Sequence, residues 1–184
     1  MAGILKVDKY QDFNGNDIMT SDGAGNITIN NTALKMTPAF GASRSGTQSI
    51  TASTYTKIEF NNEIFDTNNA YDATTNYRFT VPSGQAGKYY ITLDYVVQSS
   101  SNDQTYNILG IYKNGTIFKR SDMNSNSTAN AQFRRFPASS CTIADLNVGD
   151  YIEAFAYVSA TSPFIDGDST ETRSFFGAYK IIGA

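Results

Sequence analysis

A chain of 184 residues has room for one full-size domain with a small module attached, and a domain of that size buries a core without disulfides or metals. Only 17% of the residues are charged and the formal net charge is −3, so the clustered Lys and Arg of a nucleic-acid footprint are missing. Arg134-Arg135 and Lys119-Arg120 are pairs that read as solvated strand positions. No run of about 18 apolar residues exists to span a membrane as a helix, and residues 1–10 do not have the pattern of a secretory signal.

In chain order, residues 4–13 alternate weakly, Asn14-Gly15 makes a turn, and 16–20 return. Asp22-Gly23-Ala24-Gly25 then turns into Asn26-Ile27-Thr28-Ile29. This is a small β-meander with few core-grade side chains, among them Ile4, Val7, Ile18 and Ile27, and so small a sheet is marginal alone in water. The expected division is an N-terminal attachment segment, 1–36, and a head, 37–184.

The head reads as strands separated by turn signals: 55–61, 77–81, 88–98, 106–113, 151–159 and 174–182. Asn114-Gly115 predicts a tight hairpin, because both residues accept positive φ. Gly149-Asp150 marks the turn before Tyr151. In the long strand, Tyr89, Ile91, Leu93, Tyr95 and Val97 make one apolar face, while Tyr90, Thr92, Asp94 and Val96 make a mixed one. The last strand is apolar on both faces: Phe175, Tyr179 and Ile181 on one, Phe176, Ala178 and Ile182 on the other. A two-layer sandwich covers only one face of each sheet, so another subunit is expected on the second.

With the strands placed, an ordered set of motifs stands out. Ala39-Phe40, Lys57-Ile58-Glu59-Phe60 with Tyr71-Asp72, Phe79-Thr80-Val81-Pro82 with Gly87-Lys88-Tyr89-Tyr90, Asn114-Gly115, Leu146-Asn147-Val148-Gly149-Asp150 and Phe175-Phe176-Gly177 resemble the globular heads of complement C1q and the tumour-necrosis-factor-like domains. The resemblance covers about four-fifths of the chain, from Pro38 onward. It implies an all-β antiparallel jelly-roll sandwich, assembled as a homotrimer with Phe175 near a three-fold axis and Tyr90, Thr92 and Tyr179 as further interface candidates. Asn76 departs from the family, which has a Gly there, and no collagen-like Gly-X-Y repeat precedes the head. Gly3-Ile4-Leu5-Lys6-Val7-Asp8, Gln11-Asp12 and Gly15-Asn16-Asp17-Ile18 resemble the opening of structural proteins of tailed bacteriophages, marine ones in particular. Together the two resemblances imply a virion fibre or spike subunit, located on the tail or capsid surface. Its N-terminal segment would dock onto other virion proteins, and its head would meet a host-surface glycan or protein. The alternatives are a capsid or tail decoration protein and a polysaccharide-cleaving spike.

Chemistry finds little to build on. The chain has no His, so Ser-His-Asp and Cys-His arrangements cannot form and zinc loses its commonest ligand. The expectation is a protein that is not an enzyme and takes no cofactor. Cys141 lies in a predicted strand and reads as a buried, inert thiol. Asp166, Asp168 and Glu171 resemble a fragment of a calcium loop without its full ligand spacing, and read chiefly as a solvated loop. Asp145, Asp150 and Glu153 form a weaker acidic set, with Asp150 explained by its turn. The polar stretches 98–105, 121–130 and 161–173 are candidate recognition loops.

Overall fold

The computed structural model describes residues 7–30, 36–124 and 133–181, and among these the backbone is strand, turn and irregular structure with no helix. The first strands, β1 (Lys9–Gln11), β2 (Asp17–Ser21) and β3 (Ile27–Ile29), form an antiparallel sheet of their own. Lys9 pairs with Asp17 at 2.8 Å across β1 and β2. This sheet has little core: Val7, Tyr10, Phe13 and Ile27 are exposed and Ile18 is half-buried. Two of the side chains expected to form its core, Val7 and Ile27, therefore do not, and Ile4 lies outside the described residues.

Two larger antiparallel sheets follow. One holds β4 (Ala39–Ser43), β5 (Gln48–Ser49), β7 (Asn62–Asp66), β10 (Gly87–Gln98), β13 (Arg135–Leu146), β15 (Phe164–Asp166) and β16 (Phe175–Lys180). The other holds β6 (Thr56–Lys57), β8 (Tyr71–Asp72), β9 (Arg78–Thr80), β11 (Tyr106–Lys113), β12 (Thr116–Asn124) and β14 (Tyr151–Ser159). β10 is the spine of the first sheet, pairing with β13 along one side and with β16 and β15 in succession along the other. β11 sits between β12 and β14 in the second. The result is an antiparallel jelly-roll sandwich.

The period-2 pattern of β10 decides which way it faces. Tyr89, Ile91, Leu93, Tyr95 and Val97 are all 1% exposed or less and meet Leu109, Ile111, Ile152, Ala154, Ala156 and Val158 from the opposite sheet. Aromatic rings fill one end: Phe40 stacks on Tyr71 and Phe79 at 4.6 and 5.0 Å, and Phe176 meets Phe40 edge-on at 5.2 Å.

Turn chemistry fixes the connections. Asn114 and Gly115 adopt φ of 52° and 76°, as the tight hairpin between β11 and β12 requires. The Asn114 side chain then donates to Asp150 Oδ1 at 2.7 Å and accepts from the Tyr151 N–H at 2.9 Å, locking this hairpin to the turn before β14. A second device recurs. Asp12 with Asn16, Asp22 with Asn26 and Asp72 with Asn76 each form a loop in which the Asp accepts backbone N–H groups and the Asn amide, at 2.8, 2.6 and 2.7 Å respectively. Asn76, which departs from the family motif, is thus the closing member of such a loop.

Some strand expectations need correction. The stretch 55–61 is laddered only at β6, yet Ile58 and Phe60 are fully buried, so it is an extended core-facing segment with few sheet bonds. Cys141 is exposed rather than buried. It stands opposite Thr92 on the outward face of β13, because Ser140 and Thr142, its neighbours, take the inward positions.

Candidate subunit interface

The four interface candidates lie together on the outward face of the first sheet. Strand register makes this unavoidable. Tyr90 is opposite Tyr179, Thr92 is opposite Gly177, and Asp94 is opposite Phe175 across β10 and β16. Directly opposed residues of an antiparallel pair share a face, and the residues between them, Ile91, Leu93, Phe176 and Ala178, are in the core. The rings of Tyr90 and Tyr179 pack at 5.4 Å between centroids.

Two glycines form the floor of this face. Gly177 of β16 is opposite Gly41 of β4, and Gly41 is opposite Phe65 of β7. A Cβ on Gly41 would stand 2.6 Å from Phe65 and 3.0 Å from Phe175, and one on Gly177 would stand 2.7 Å from the Phe175 ring. The Phe175 and Phe65 rings therefore lie flat over bare backbone, shielding it as aromatic side chains do beside strand glycines. Met36, Phe65, Tyr90, Phe175 and Tyr179 surround a hollow of about 320 Å³. Phe65 is 47% exposed and Tyr179 38%. Scattered apolar exposure is ordinary, but a contiguous concave patch of aromatics marks an interaction surface. Phe65 and Met36 are the members sequence reading missed. The signal for Phe65 was present in Ile64-Phe65, but β7 is an edge strand too short and too polar to announce itself.

Cys141 adjoins this face. The nearby thiol is the largest cause holding the Tyr90 phenol above the ordinary tyrosine range.

Arginine brings the acidic candidates together, with Asp166 buried and Asp168 and Glu171 in the exposed loop that follows it. Asp166, expected in an open loop, is 3% exposed at the end of β15. It accepts from Arg135 at 3.1 Å, from Arg173 at 3.4 Å and from the Gln98 amide at 2.8 Å. Arg173 also pairs with Asp168 at 2.9 Å and Glu171 at 3.2 Å. Among the described residues no cluster of acidic, His or Cys side chains is arranged to hold a metal ion. Arg135 is exposed on β13, as expected of a solvated strand position, and reaches Asp166 from there. Glu153 is buried against Lys57 at 2.5 Å, and Asp150 binds Lys113 at 2.9 Å.

The candidate recognition loops are also tied down in part. In 98–105, Ser99 and Gln104 are fully buried, and Asp103 accepts the Thr161 N–H at 2.8 Å. Residues 121–124 belong to β12, with 125–130 outside the described residues. In 161–173, Ile165 is a core residue.

Comparison with solved structures decides the architecture. The chain superposes on the globular domain of zebrafish complement 1qA with a TM-score of 0.54, at 16% identity, over 78% of this chain and 97% of that one. It superposes on Eiger TNF from S. frugiperda with a TM-score of 0.58, at 13% identity, over 79% of this chain and 93% of that one. The head has the C1q/TNF fold. At these identities the likeness is one of fold, and no protein-family profile and no curated protein matches the sequence. Within the C1q/TNF-like head, the hollow lies on the outer face of the sheet that carries β4, β16 and β10.

Proposed function

We propose that the chain is a subunit of a homotrimeric fibre or spike on the virion of a tailed bacteriophage, a binding protein rather than an enzyme. Its C1q/TNF-like head meets a host-surface glycan or envelope component, and its N-terminal segment docks onto other virion proteins. The observation that carries the assembly reading is the aromatic face built on Gly41 and Gly177, an apolar surface that the described residues leave uncovered. A cyclic trimer covers it by setting each subunit against the next. The exposed apolar side chains of the N-terminal sheet support docking of that segment against a larger surface. The virion setting rests on the resemblance at residues 3–18.

Sedimentation of the purified chain tests the assembly. The expected species has three times the 20.1 kDa chain mass. Phe175→Asp is expected to yield monomers or insoluble chains, because it places an unpaired charge in a desolvated contact. An intact trimer from that variant overturns the axial assignment. Host recognition is tested separately: antibodies against the head are expected to block virion adsorption, and unchanged adsorption removes that part.

A further inference from the structure

A second hollow, of about 240 Å³, opens in the seam where β11 and β12 of one sheet face β13 of the other. Its inner wall is unusual. Along β11 the core-facing row is Asn107, Leu109 and Ile111, so a polar residue occupies a position that sandwich packing fills with an apolar one. Asn107 is 2% exposed, and its Nδ2 has no hydrogen-bond partner. Its Oδ1 accepts from the Tyr95 hydroxyl, which lies 2.9 Å from the Ile108 carbonyl as well. Turning the amide over would let Nδ2 donate to the tyrosine oxygen and leave Oδ1 without a donor. In either orientation one polar atom of Asn107 remains unused, and buried polar atoms are seldom left so.

Edge protection does not account for this. Polar inward residues on an exposed edge strand discourage aggregation, which explains Lys119 and Ser121 on β12. Asn107 is on β11, an interior strand flanked by β12 and β14. We infer that the seam is a binding site for one neutral, hydroxylated ring, the terminal hexose of a glycan.

The chemistry of the lining points to that class. Leu109, Met123 and Phe136 offer apolar wall for the C–H faces of a sugar, while Ser121 and Asn107 offer hydroxyl and amide groups. Ser121 and Ser140 hydrogen-bond at 2.9 Å across the seam and join its two walls. The only charged group in the lining, Asp122, is already bound by Arg120 and the Tyr106 hydroxyl, so the site favours neither an anion nor a cation. Its volume falls below the roughly 300 Å³ at which drug-sized pockets begin, which suits a single ring.

This inference rests on the head being a recognition module, and its test reads the pocket itself. The full chain, isotope-labelled, is titrated with the methyl glycosides of glucose, galactose and mannose and followed by NMR. At least one glycoside is expected to shift the Asn107 side-chain amide and the Met123 methyl saturably. Asn107→Leu, which keeps the size of the side chain and leaves Tyr95 bonded to Ile108, is expected to weaken binding about tenfold or more, as loss of a hydrogen bond from a buried group does. Ser121→Ala, at the mouth of the seam, removes one hydroxyl without touching the core and is expected to weaken it several-fold. No shift with any of the three glycosides, or unchanged binding in both variants, overturns the site. Saturable binding by glycosides that fail to compete with virion adsorption leaves the site standing and removes the host reading instead.

Discussion

Gly167 follows β15, and a Cβ there would stand 2.2 Å from the Gly46 carbonyl oxygen and 2.5 Å from that of Arg44. Both obstacles are backbone, and the next residue, Asp168, donates its N–H to the same Arg44 carbonyl at 3.0 Å. Gly167→Ala is therefore expected to destabilise the head by about 1–3 kcal/mol, in the range of over-packing substitutions. The urea midpoint should fall while the slope of the transition is unchanged. A midpoint equal to wild type would mean that the 44–46 segment yields freely. The same neighbourhood shows why Asp166 was misread from sequence. Its partners Arg135 and Gln98 are distant in the chain, on β13 and β10, and nothing local in Ile165-Asp166-Gly167-Asp168 announces them.

At the scale of elements, the hairpin after β11 and the turn before β14 behave as one unit held by Asp150. Its carboxylate accepts the Asn114 amide, the Asn147 N–H and the Lys113 ammonium, which together lower its pKa from 3.8 to about 2. A lowered carboxylate stabilises the fold above its unfolded value and loses that contribution as pH falls through its folded value. The stability gap between wild type and Asp150→Asn should therefore be largest near neutrality and shrink as pH falls from 3.8 to about 2. Denaturant midpoints of the two proteins across that window check it, and a pH-independent gap contradicts it. Turns and long strands were the legible elements. Asn114-Gly115 and Gly149-Asp150 carry their own backbone requirement, β10 buries an alternating row, and β11 and β14 are buried along most of their length. β13 was seen only in part, since its inward face is largely Ala, Ser and Thr, whose small side chains give a weak period-2 signal. Asn107 was legible in principle, as the polar member of the row it shares with Leu109 and Ile111. Its significance depends on the unpaired amide, which only coordinates reveal.

For the molecule as a whole, two surfaces differ in character. The Gly41–Gly177 face has shape and apolarity but little hydrogen-bonding capacity, which suits a permanent contact between like chains. The seam between β12 and β13 has the opposite character, mixed and polar, which suits a reversible ligand. Among the described residues the N-terminal sheet pairs with no strand of the head, whose ladders run within its own two sheets.

Cys141 gives this arrangement a practical handle. It is the chain's one cysteine, it is exposed, and it stands beside Tyr90 at the margin of the aromatic face. A thiol-directed mass tag would then act as a clock for subunit exchange, with no engineered residue needed. Labelling of wild type should be slow and limited by dissociation, whereas Phe175→Asp chains that remain soluble should label at the rate of a free thiol. Equal rates would show that the face is open in both, and that whatever the chains assemble through lies elsewhere.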